Sequence, residues 1–187
     1  MGKHRLIPIS ISVLLLVPVA AQSATSKKAD NSKHGSAAPS AERLGAAESW
    51  AAYAYKDKSG KVCYLIGDPQ KTERARSKGK RAVAMVTHRP GEKATNVVSF
   101  VKGYPLKEGS DATLDISGTN FDLFTKGDTA WARTSELDKA IVDAMMKGKQ
   151  ASVKATPVKG PSTIDTYSLA GFSEALSLID KACEVKR

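Results

Sequence analysis

Histidine and cysteine are scarce in this chain: three and two respectively in 187 residues. His4 and His34 precede the patterned part of the sequence, which leaves His88, in "THRPG", as its one imidazole. A Ser/His/Asp or Cys/His apparatus would therefore have a single base to work with, and that base reads as an exposed strand-end residue. HExxH, GxSxG, CxxC and Walker A spacings are all missing, so zinc hydrolysis, α/β-hydrolase chemistry, dithiol exchange and nucleotide cradling lack their parts. "SKGKR" fails as a phosphate loop because Arg74 stands where its first glycine is needed. No metal set and no cofactor motif emerges. The carboxylates Asp111, Asp115, Asp122 and Asp128 read as solvated turn and strand positions, and Met145-Met146 as helix core or rim. Beyond the first twenty or so residues no apolar run is long enough to cross a bilayer, so no transmembrane span is expected in the mature form.

That first run is "MGKHRLIPISISVLLLVPVAAQSA". A positive start (Lys3, Arg5), an apolar centre from Leu6 to Val19 and the small residues Ala20 and Ala21 predict a secretory signal peptide over 1–21. Pro8 and Pro18 argue against a buried helix there. The following "QSATSKKADNSKHGSAAPSAERLGAAES" has almost no large apolar side chains, which predicts a flexible basic Ser/Ala/Lys-rich tether over 22–47. Residues 48–187 are enough for one domain with a real core. The expected location is periplasmic or secreted.

Within that domain most segments have period two. "SWAAYAYK" sets Ala51, Tyr53 and Tyr55 against Trp50, Ala52 and Ala54. "KVCYLIGD" sets Val62, Tyr64 and Ile66 against Cys63 and Leu65. "RAVAMVTH", "TNVVSFVK", "ATLDIS" and "NFDLFT" continue the series, separated by turn signals such as "KDKSGK" and "RPGEKA". "ASVKATPV" and "STIDTYSLA" also read as strands. Two stretches switch to helical period. "TSELDKAIVDAMMKGK" is predicted to cap on Ser135 with Asp138 at the reciprocal position, and carries the stripe Leu137, Ile141, Met145. "GFSEALSLIDKACEVKR" aligns Phe172, Leu176, Ile179 and Cys183, with Ser173 as cap. The predicted fold is mainly β: an antiparallel β-sandwich-like domain with two short helices. Trp50, Trp131, Tyr53, Tyr55 and Phe121 are either core or a ligand platform, core being the default.

The two cysteines, Cys63 and Cys183, permit one pairing, and an even count in an exported chain favours a disulfide over a reactive thiol. The net charge is +10, and much of the domain's excess lies in one loop: Lys71, Arg74, Arg76, Lys78, Lys80 and Arg81, opposed by Glu73. Such a cluster suits an anionic envelope polymer or lipid such as lipopolysaccharide; a solvated basic connection is the plainer alternative. In an exported chain without a nucleic-acid-binding fold, nucleic acid is not an expected partner.

Trp50, "KVCYLIGDP", "MVTHRPGEKATNVVSFVKGYPLKEGSDATLDISGTNFDLF", "TAW" and "AMMKGKQASVKATPVKGPSTIDTYSLAGFSEALSLIDKAC" together resemble the invasion-associated locus B family of alphaproteobacterial envelope proteins. "YSLAGFSEAL", the terminal cysteine and the Gly118, Phe121, Leu123 run are the most specific parts. The resemblance implies export, a β-sandwich-like domain with short helices, and for the family's named member a link to invasion of red blood cells. It implies no catalytic residues. The expected function is a non-catalytic envelope protein supporting envelope integrity or host-cell invasion, by binding an envelope or host-surface protein or an anionic envelope component. The alternative is a periplasmic hydrolase or thiol-dependent enzyme whose site is not recognisable from sequence.

Overall fold

A computed structural model describes residues 40–73 and 81–187. The signal peptide expected over 1–21, most of the expected tether, and Arg74, Arg76, Lys78 and Lys80 lie outside the described residues. Chain order is β1 (Glu42–Ala47), β2 (Trp50–Asp57), β3 (Gly60–Gly67), β4 (Lys71–Glu73), β5 (Val83–Arg89), β6 (Ala94–Val101), β7 (Asp111–Ile116), β8 (Thr119–Lys126) and β9 (Thr129–Trp131). Helix α1 (Ser135–Lys147), β10 (Gln150–Ala155), β11 (Thr163–Ser168) and helix α2 (Phe172–Cys183) complete it. The strands form one antiparallel sheet in the order β1-β2-β3-β5-β6-β9-β8-β7-β10-β11-β4. No helix among the described residues is long and apolar enough to cross a membrane.

The sheet curls so that its two halves face one another. Phe100 on β6 and Tyr167 on β11 bring ring centroids within 5.8 Å, although four strands separate β6 from β11 in the sheet. Trp50 Nε1, at the start of β2, donates to Ser168 O on β11 at 2.9 Å. The chain also crosses between halves directly. It leaves β3 through Asp68–Gln70, Gln70 N donates to Thr166 O at 2.8 Å, and β4 then pairs with β11. This is the sandwich-like arrangement that short alternating strands allow.

Alternation decides which side of each strand is buried. On β2 the inward residues are Trp50, Ala52 and Ala54, and the tyrosines point outward, half-exposed. Small inward side chains let α2 lie close against β1, β2, β3 and β5. There Phe172 meets Trp50 edge-on at 5.0 Å between centroids. Gly67 has no side chain because the Trp50 ring occupies its place: a Cβ would stand 2.6 Å from Trp50 Cζ3. Helix α1 buries Ile141, Val142 and Met145 and lies on β6 and α2.

Three local expectations change. The tether does not extend to Ala47: 42–47 form β1, paired with β2 along its length. Gly45 accommodates Leu178 Cδ1 of α2, which a Cβ would meet at 2.8 Å, so the strand is held by pairing and by the helix rather than by large side chains of its own. Helix α1 caps on Thr134, whose Oγ1 accepts from Leu137 N at 3.2 Å, not on Ser135. Asp138 accordingly does not close a capping box. Its Oδ1 accepts from Val98 N of β6 at 2.7 Å, and burial raises its pKa to about 6. At the other helix Gly171, in the left-handed region (φ 79), takes the N-cap place expected for Ser173.

Candidate partner-binding groove

The chain on either side of 74–80 starts from ordered strands. Lys71 and Glu73 belong to β4, where Lys71 Nζ and Glu73 Oε1 pair at 2.7 Å. Arg81 pairs with Asp68, in the turn leaving β3. Of the six cations expected to act together, Lys71 and Arg81 are thus described, each beside a carboxylate. The other four lie outside the described residues.

Between these elements is a surface groove of about 400 Å³, lined by Arg43, Tyr53, Ile66, Asp68, Gln70 and Arg81 among others. Arg43 comes from β1, Tyr53 from β2, Ile66 from β3, and Arg81 precedes β5; the β1-β2-β3 meander and the crossover to β4 bring them together. Arg43 is exposed and has no ion pair among the described residues. Sequence reasoning missed it because it falls in what read as tether.

The tyrosines continue the groove across the outer face. Tyr53 stacks on Tyr64 (5.4 Å, 18°), and Tyr55 meets Tyr64 edge-on at 6.0 Å. Arg89 donates to Tyr55 Oη at 2.9 Å and to Asp57 Oδ2 at 2.8 Å. From Ala51 a row of register partners runs through Ile66, Met85, Ser99 and Trp131 to Phe124. All but Ser99 are half-buried. The five aromatic residues left open between core and platform thus divide. Trp50 is core, Tyr53 and Tyr55 are outward, and Trp131 and Phe121 are half-buried.

His88 is not an exposed strand-end residue: its side chain has no exposed surface. It lies opposite Cys63 on the neighbouring strand. Nδ1 accepts from Asn96 N at 3.0 Å, and Nε2 lies 2.9 Å from Asp180 Oδ1. The first bond requires an unprotonated Nδ1, so the neutral ring carries its proton on Nε2 and donates it to Asp180. Asp180 also accepts from Arg187 Nε at 2.5 Å. Burial would raise its pKa, but the hydrogen bonds from His88 and Arg187 outweigh this and hold it below the ordinary value. Both ring nitrogens are occupied, and so are both thiols: Cys63 and Cys183 form a disulfide with Cα atoms 6.0 Å apart.

A second polar cluster is enclosed in the core. Lys102, just past β6, forms an ion pair with Asp165 of β11, and both side chains are essentially without exposed surface. Each charged residue sits within an apolar strand pattern, "VVSFVKG" and "STIDTYS", and that interruption is the sequence signal that could have found them. Among the described residues no group of three His, Cys, Asp or Glu could hold a metal ion.

A curled antiparallel sheet with two helices packed on it and a buried disulfide defines a class of small β-rich domains. A family model described as "Invasion associated locus B (IalB) protein" matches residues 50–180, and the chain belongs to that family. A crystal structure of invasion associated protein B from Bartonella henselae has the same fold. Its TM-score is 0.53 at 15% identity, covering 76% of this chain and 99% of that one. No curated protein matches the chain.

Proposed function

We propose that this chain is an exported, non-catalytic binding protein of the periplasm or cell exterior, supporting envelope integrity or host-cell invasion by holding an anionic envelope component. Its contact surface is the groove together with the basic segment from Lys71 to Arg81. The observation that carries this reading is Arg43, exposed and without an ion pair among the described residues, beside half-exposed Tyr53 in the groove that Arg81 also lines. Cations flanking an aromatic ledge suit phosphate-bearing amphiphiles, the cations taking the anion and the ring the adjoining apolar part. A non-catalytic role is supported by the occupied His88 nitrogens and the bridged cysteines.

The test is co-sedimentation with vesicles of phosphatidylglycerol, or of phosphatidylcholine doped with lipopolysaccharide, against phosphatidylcholine alone. Single exposed cations contribute little in water, so retention should come from several together and fall steeply as salt rises. Charge reversal at Arg43, Arg74, Arg76 and Lys80 should abolish retention with the fold intact. Retention that survives both salt and the quadruple substitution rejects the reading.

A further inference from the structure

The Lys102–Asp165 pair lies where the two halves of the sheet face each other, beside the Phe100 and Tyr167 rings. A buried ion pair is kept ionised by further hydrogen bonds to its charged atoms. Lys102 Nζ has one, to Val153 O at 3.2 Å. Asp165 has only Lys102: among the described residues neither of its oxygens accepts a hydrogen bond from any other group. The Tyr167 hydroxyl, two residues along on the same inward side of β11, is likewise buried without a partner.

Charge is poorly supported here. Burial lowers the Lys102 pKa, with Asp165 pulling it back up. Within the pair, passing one proton from the amine to the carboxylate frees the nitrogen lone pair and turns one carboxylate oxygen into a hydroxyl. Such a pair, fixed by surrounding strands and shielded from bulk water, is disposed to condense: well-oriented intramolecular reactants reach effective molarities on the order of 10⁵–10⁸ M.

We propose that Lys102 and Asp165 join in an intramolecular isopeptide bond tying the end of β6 to β11 across the core. The nitrogen lone pair attacks Asp165 Cγ, forming the C–N bond. One N–H proton moves to the departing hydroxyl, the C–OH bond breaks, and one water leaves. No oxidant, reductant or co-reactant is required. Two charges disappear from the core, and the amide N–H keeps Val153 O as its acceptor. With the disulfide, the sheet is then held covalently in two places.

The experiment is mass spectrometry of the purified wild-type chain after disulfide reduction, with Lys102→Arg as reference. The wild type should lie about 18 Da, one water, below the mass expected from that reference. Digestion of the denatured chain should give one branched peptide containing both residues, uncut after Lys102. A wild-type chain of full mass, cleaved normally after Lys102, means an ion pair only and overturns the proposal. A water loss that maps elsewhere does the same.

Discussion

Replacing both cysteines by alanine isolates what the disulfide contributes. The bond spans a sequence separation of 120 residues, and for a loop of that size the chain-entropy relation gives about 5 kcal/mol at 25 °C. The native state should lose little beyond the bond itself. Helix α2 is docked independently by Phe172, Leu176 and Ile179, each at most 1% exposed, so its attachment does not rest on Cys183. The effect therefore lies in the unfolded chain, which becomes larger and exposes more surface. Urea unfolding followed by circular dichroism should show a midpoint shift equivalent to about 4–5 kcal/mol together with a higher m-value. The melting temperature should fall by roughly 10–20 °C, at about 2–4 °C per kcal/mol for a chain of this size. A Lys102–Asp165 cross-link would short-circuit part of the loop, but its logarithmic dependence reduces the figure by less than about 1 kcal/mol, so the expectation holds either way. A loss below about 1 kcal/mol with an unchanged m-value would refute the reasoning. So would amide exchange showing that only the last turn of α2 loosens.

Asp138 has a folded-state pKa raised to about 6 from 3.8, by burial against the Val98 N–H bond. Its contribution is therefore fully present below pH 4 and is lost as pH rises through 6; stability should drop by about 1–3 kcal/mol over that window. Asp138→Asn, which retains an acceptor for Val98 N, should remove this slope in urea titrations at pH 4, 5, 6 and 7, and a slope that persists would assign it to another group. Gly67→Ala places a Cβ within 2.6–2.8 Å of three Trp50 ring atoms and should cost about 1–3 kcal/mol by overpacking, measured as a urea midpoint shift. Thr134→Ala removes the cap of α1 and should cost about 1 kcal/mol, whereas Ser135→Ala, next to the cap, should cost almost nothing.

The period of the strands was legible, but not always which face is buried. In "WAAYAYK" hydrophobicity does not reveal that the alanines go inward and the tyrosines outward, because the deciding partner is α2, more than a hundred residues downstream. The three-residue strands β4 and β9 are too short to display a period, and β4 is exposed throughout, so nothing in its composition sets it apart from the basic stretch it opens. "ERLGAA" has too few large side chains to read as a strand, and becomes one because β2 supplies the ladder and Leu178 the packing. His88 looked exposed because a turn follows it at once; α2 covers it from 92 positions away.

Charge shows most clearly where sequence reading runs out. Counted along the chain, Lys71 to Arg81 is a block of six cations facing one acid. In three dimensions Lys71 and Arg81 are beside Glu73 and Asp68, while Arg43, which belongs to no run, stands in the groove without an ion pair among the described residues. A one-dimensional count ranks residues by neighbours in sequence, whereas binding depends on which charges have their field already compensated by an acid within a few ångströms. Arg43 should therefore matter more than its isolation in sequence suggests: reversing Arg43 alone should weaken vesicle retention more than reversing Lys71, whose partner Glu73 already offsets it. Equal losses from the two single reversals, measured in the same low-salt sedimentation assay, would show that the summed charge of the segment governs binding and that the groove does not.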